Sequence, residues 1–148
     1  MVLFAACGDF HYHGMVSLAE RRRYAEAKRN FWATAKAFND TKTIPIEQSA
    51  LWQELDPNVA IYDFDSGNQL MASGREASIY YLYTLPTANF EPAPGTVCFH
   101  LHENQQLVTG HAYWTGNDGA GTAKIFFTWE LNNHLVASIK GQVAPPVA

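Results

Sequence analysis

From Ser17 onward, apolar side chains recur at Tyr24, Ala27, Phe31, Ala35 and Phe38, spacings of three and four that place them on one face of a helix. Ser17 and Glu20 form an S-x-x-E capping box at its start, and Asn39-Asp40 ends it. Pro45 suits the first turn of a second, shorter helix, Ile46 to Leu55, carrying Ala50, Leu51 and Leu55; Pro57 stops it. Val59 to Phe64 is β-branched and aromatic enough for a strand, with a Ser66-Gly67-Asn68 turn after it. Ser73 to Glu76 repeats the capping box and opens a third helix through Ile79 and Leu82, which Pro86 terminates.

After Pro94-Gly95 the period changes. Thr96 to Glu103, Leu107 to Thr115, Thr122 to Leu131 and His134 to Val143 read as strands. Their links, Asn104-Gln105-Gln106, Gly116 to Gly119 and Asn132-Asn133, are short enough to make neighbours antiparallel. Ile125, Phe127 and Trp129 share one strand face, as do Leu135, Ala137 and Ile139 on the next, and both sets are expected in the core or a pocket wall. Helices followed by a strand meander predict an α+β domain with three N-terminal helices on the concave face of a curved antiparallel sheet. The cone-shaped space between the layers is the place to look for a small ligand.

The chain has 148 residues, enough for one domain with a sizeable core; 47% are hydrophobic, 14% aromatic and 16% charged. With a net charge of -4 and basic residues scattered apart from Arg21, Arg22 and Arg23, no phosphate-binding surface and no nucleic-acid partner are expected. That arginine run pairs with Glu20 and Glu26 at helical spacing and reads as a solvated face. No apolar segment is long enough to cross a membrane as a helix. Cys7 and Cys98 lie far apart and match no metal-binding or disulfide framework, so free thiols and a cytoplasmic location are expected. Residues 1–16 read as an N-terminal extension to a domain over 17–148; Val2 to Cys7 is like the end of a lipoprotein signal but lacks a basic region and is short.

Ala50-Leu51-Trp52 through Asp56-Pro57-Asn58-Val59-Ala60-Ile61-Tyr62-Asp63, then Ser73-Gly74-Arg75-Glu76-Ala77, resembles a helix, an acidic break, a strand ending in a carboxylate and a G-R-E-A helix start. With the later hairpins, residues 17 to 143 resemble the nuclear-transport-factor-2-like (NTF2-like), or SnoaL-like, superfamily, which includes ketosteroid isomerase, scytalone dehydratase, limonene epoxide hydrolase and polyketide cyclases. The resemblance puts Asp63 where the isomerase keeps its general base. It puts Ile125 where that enzyme has a protonated aspartate, and the first helix offers only Phe31, Trp32 and Phe38 where it has a tyrosine. The Arg and paired Asp pattern of the epoxide hydrolases is not apparent on the later strands.

Asp63, flanked by Tyr62 and Phe64, reads either as a proton-moving carboxylate at the cavity mouth or as the start of the turn containing Asp65 and Ser66. His100 and His102 share a strand face; a two- or four-residue turn would align His111 with them, and a three-residue turn would place it beside Phe99 and Leu101. Tyr83, one turn after Ile79, is the pocket candidate among Tyr80, Tyr81 and Tyr83. The Gly116 to Gly121 stretch lacks the lysine and following helix of a phosphate loop, and neither metal nor cofactor is expected.

Two functions follow as expectations. The first is a cofactor-independent isomerase, dehydratase or cyclase acting on a small apolar, carbonyl-bearing metabolite, with Asp63 as base, His111 or Tyr83 as polarising donor, and Phe31, Trp32, Phe99, Tyr113, Phe127 and Trp129 contacting the ligand. The second is a non-catalytic ligand-binding or dimerisation module, with rings but no convergent acid and base. In either case the sheet face carrying Cys98, His100, His102 and one of Tyr113 or Trp114 is expected to be covered by a two-fold homodimer, sensitive to pH through its histidines.

Overall fold

A computed structural model describes residues 2–7, 17–85, 89–102, 105–115, 122–133 and 135–143. Helix α1 (Leu18–Asn39) begins at the expected cap: Ser17 Oγ accepts from Glu20 N–H and donates to the Glu20 carboxylate. Its predicted stripe, Tyr24, Ala27, Phe31, Ala35 and Phe38, is the face it buries. The second helix is shorter than its spacing implies. Ser49 takes an extended conformation and its hydroxyl accepts from Leu51 N–H, so a 3-10 turn (Ile46–Gln48) is cut from helix α2 (Leu51–Glu54). Strand β2 (Leu55–Tyr62) therefore starts before the expected Val59. Pro57 lies in it, in the register gap between Leu55 and Ala60 where no ladder bond is demanded of it.

Strand β3 (Leu70–Ser73), not anticipated, draws Ser73 into the sheet. The cap of helix α3 (Arg75–Thr84) is consequently Gly74, at φ 91°, instead of a Ser73–Glu76 box. Glycine adopts that left-handed backbone without a Cβ penalty, and Gly74 N–H donates to Val59 O. Pro86, expected to end this helix, and the 116–121 hairpin lie outside the described residues.

The remaining strands are β1 (Val2–Cys7), β4 (Asn89–Pro92), β5 (Cys98–His102), β6 (Gln106–Thr115), β7 (Thr122–Asn132) and β8 (Leu135–Val143). The order β1-β5-β6-β7-β8-β2-β3, with β4 also paired to β6, makes a curved sheet of an α+β domain. The meander β5 to β8 is antiparallel as expected, but β2 and β8 run parallel, so the whole sheet is mixed. A bulge shifts register where Leu131 meets Val136 and Glu130 meets Ser138, and it changes the buried set on β8. Val136 and Ile139 face the core, whereas Leu135 and Ala137, expected there, are only half-buried.

β4 and β5 lie in series along one edge of β6, Asn89 opposite Thr115 and Cys98 opposite Thr109. At the change of partner, His111 N–H donates to Thr96 Oγ and Ala93 N–H donates to His111 O. Gly110 sits beneath this corner, where a Cβ would come within 3.0 Å of the Phe127 ring and 3.2 Å of Thr96 O.

The N-terminal segment corrects a further expectation. β1 pairs antiparallel with β5, setting Cys7 directly opposite Cys98, and the two form a disulfide. Free thiols were expected because 91 positions separate them; sheet pairing abolishes that distance.

Candidate functional site

The ring-bearing residues expected to line a pocket do converge. Phe31, Phe99, Phe127 and Trp129 are at most 2% exposed and fill the space between α1 and the sheet. The Phe31 centroid is 4.7 Å from Trp129 and 5.6 Å from Phe127, stacked on the latter. Phe99 meets Phe31 edge-on, and Trp32, half-buried, packs on the flank of Phe31 at 5.1 Å. Phe90 on β4, which periodicity did not single out, stacks on Trp129 at 5.2 Å. Tyr113 is the exception: inward positions on β6 are the even ones, so Tyr113 points outward and is 50% exposed while Trp114 is buried.

The three residues expected to supply acid–base chemistry do not converge. Asp63 starts the turn after β2, and its carboxylate accepts from the N–H groups of Asp65, Ser66 and Gln69 and from the Ser66 hydroxyl. Partial desolvation pushes its pKa up, but those four donors outweigh it and bring it to about 2. A carboxylate so held is a poor base at neutral pH, and its contacts are those of the turn that the sequence offered as the other reading of Asp63. Tyr83 donates its hydroxyl hydrogen to Ile44 O at 2.7 Å, tying α3 to the segment after α1.

His111 is decided by register. Leu101 pairs with Gln106 and His100 with Leu107, and His102 N–H donates to Gln105 O, a register that sets odd positions of β6 on the face of the even positions of β5. His111 therefore shares the outer face with His100 and His102, edge-on to Phe126 at 5.3 Å and on the opposite side of the sheet from Trp129. On that face His100 Nε2 lies 3.2 Å from Thr109 Oγ, and burial, with a smaller contribution from His102, lowers its pKa. His102 Nε2 and His111 Nδ1 are buried without a hydrogen-bond partner. Among the described residues, no group of three or more His, Cys, Asp or Glu is placed to hold a metal.

Two features had no sequence signal. Trp129 Nε1 and Asn30 Nδ2 are buried donors without partners, one inside the ring cluster and one on α1. A groove of about 710 Å³ also runs between α2 and the start of α3, walled by Trp52, Pro57 and Tyr80. Arg75 beside it spends Nε and Nη2 on Leu55 O. Nearby Glu54 has a carboxyl raised by desolvation, an effect Arg29 partly offsets.

No family model and no curated protein matches the chain. Solved structures do. An NTF2-like protein from Anabaena variabilis superposes with a TM-score of 0.58 at 9% identity, covering 90% of this chain and 97% of that one. An NTF2-like protein of unknown function from Pseudomonas putida gives 0.57 at 16% identity, with 89% and 90% coverage. The fold is NTF2-like. A SnoaL-like family protein from Agrobacterium tumefaciens (TM-score 0.54, 16% identity, 82% and 99% coverage) and an epoxide hydrolase from M. tuberculosis (0.56, 11%, 81% and 84%) share it. At such identities the likeness establishes the NTF2-like architecture alone, since one fold hosts unrelated chemistries.

Proposed function

We propose that this NTF2-like chain is a non-catalytic assembly module, forming a homodimer through the outer face of β5 to β8. The observation that carries this reading is the outer face itself: Tyr113 and the 44%-exposed Phe126 stand on it close to His111, and His111 Nδ1 and, farther along the face, His102 Nε2 lack partners. Lys124 and Glu130 occupy the same face of β7 on either side of its centre. A two-fold axis through that centre sets the lysine of one subunit against the glutamate of the other. The dispersal of Asp63, Tyr83 and His111, each on a different part of the molecule, removes the support for an isomerase, dehydratase or cyclase using them together. The disulfide favours an oxidising compartment over the cytoplasm. Sedimentation equilibrium at micromolar concentration and pH 7.5 tests the reading: a dimer is expected, and a monomer overturns it.

A second reading is favoured by one specific observation, the unpartnered indole N–H of Trp129 among packed rings. In that reading the packed rings part to admit a small apolar molecule between α1 and the sheet, which accepts from Trp129 Nε1 through a carbonyl oxygen. Native mass spectrometry of the purified chain tests it. A co-purifying ligand that is released unchanged and lost in Trp129→Phe supports holding without turnover; a chemically altered ligand restores the enzyme reading.

A further inference from the structure

We propose that the Cys7–Cys98 disulfide is a redox latch: it holds β1 against β5, and its reduction by a dithiol releases β1 and opens the β5 edge of the sheet.

β1 occupies the end of the strand order, and among the described residues β5 is the one element with which it shares an extended contact. Its ladder is short and loses register between Val2 and Phe4. The covalent bond sits at the Cys7 end of that ladder. A six-residue strand attached along one side only is the kind of element that opens independently of the core. With the disulfide in place, strand and edge stay adjacent; without it, the ladder alone must retain them.

β5 does not depend on β1 for its position. Phe99 and Leu101 are buried in the ring cluster, β6 pairs with β5 along its other side, and Arg23 Nη2 donates to His102 O at 2.7 Å. Release of β1 therefore bares one row of β5 backbone N–H and C=O groups and leaves the core intact. Both cysteines are only half-buried, and Cys98 lies on the outer face with His100 and His102, away from the ring cluster. In a subunit whose outer face is uncovered, a reductant can reach the disulfide from solvent.

The exchange is balanced within the pair of reactants. A thiolate of the dithiol attacks one sulfur, breaking the Cys7–Cys98 bond and forming a mixed disulfide. The second thiol of the reagent then closes its own disulfide. Cys7 and Cys98 are left as thiols, having gained two electrons and two protons from the dithiol.

Hydrogen–deuterium exchange with mass spectrometry on the full chain tests this, with oxidised protein, the same protein in dithiothreitol, and Cys7→Ser without reductant. Amides of 2–7 and 98–102 are expected to exchange at least tenfold faster in the last two samples, while α1 and β6 to β8 keep their protection. Equal exchange in all three samples overturns the proposal, because the ladder then holds β1 unaided. Loss of protection throughout the reduced chain also overturns it, because the bond is then a staple for the whole fold. Two alkylatable thiols in the air-oxidised protein overturn it as well. The Cys7→Ser sample needs no reagent at the outer face, so it reads the latch whether or not the proposed dimer covers Cys98.

Discussion

The side chain of Asn39 binds the backbone of Phe90 at two points: Asn39 Oδ1 accepts from Phe90 N–H at 2.6 Å, and Asn39 Nδ2 donates to Phe90 O at 2.9 Å. The amide thus stands in for a neighbouring strand and fixes β4 to the end of α1, so that Phe90 enters the ring cluster. Asn39→Ala removes both bonds and is expected to lower stability by about 1–3 kcal/mol. Asn39→Asp keeps the acceptor but loses the donor, and should fall between wild type and Asn39→Ala. Urea unfolding of the three proteins checks the order.

Asp63 links the turn after β2 to acid stability. Its folded pKa of about 2 lies below the ordinary aspartate value of 3.8, so its contribution is present above pH 4 and fades as pH falls toward 2. Because the group is largely solvated, that contribution is about 1 kcal/mol or less after screening. Asp63→Asn should therefore be less stable than wild type at pH 7, and the difference should shrink steadily between pH 4 and pH 2. A gap that stays constant across that range would contradict the assignment.

Gly110 is required by space. A methyl group there meets the Phe127 ring at 3.0 Å and the Thr96 carbonyl at 3.2 Å, both held by the corner where β4 gives way to β5. Gly110→Ala is expected to destabilise by about 1–3 kcal/mol through overpacking. Thermal unfolding followed by near-ultraviolet circular dichroism, sensitive to the rings, reads both the loss and any repacking.

His100 links the outer face to pH. Its pKa is depressed from 6.5 by burial and by His102, so the neutral ring is the form the folded state favours. The associated stability is present above pH 6.5 and is lost as pH falls through the lower folded value. Burial in the proposed dimer would extend the same sign to association, so sedimentation at pH 7.5 and pH 5.5 should then show weaker association at the lower pH. His100→Gln should flatten that dependence. Phe126→Asp, which places charge at the exposed centre of the face, should give monomers at both pH values without unfolding the domain.

Local periodicity carried much of the architecture. The buried stripe of α1 and the meander β5 to β8 were legible because a helix or strand with one buried face repeats its apolar residues every 3.6 or 2 positions. The ring set Phe31, Phe99, Phe127 and Trp129 was legible for the same reason. Short β3 and β4, with only four residues each, carry too little repeat to register, and the parallel β2–β8 pairing has no local signature at all. Tertiary structure alone decided which chemistry the side chains can take part in. The pairing of Leu101 with Gln106 turned His111 outward, since a strand alternates faces and its register is set across the hairpin. Four donors gathered from a folded turn made Asp63 a structural anion, and a strand pairing across 91 positions made Cys7 and Cys98 neighbours. The register and the Cys7–Cys98 pairing depend on groups brought together in space, which no spacing along the chain encodes, whereas the Asp63 donors lie within six positions and its turn reading was legible locally.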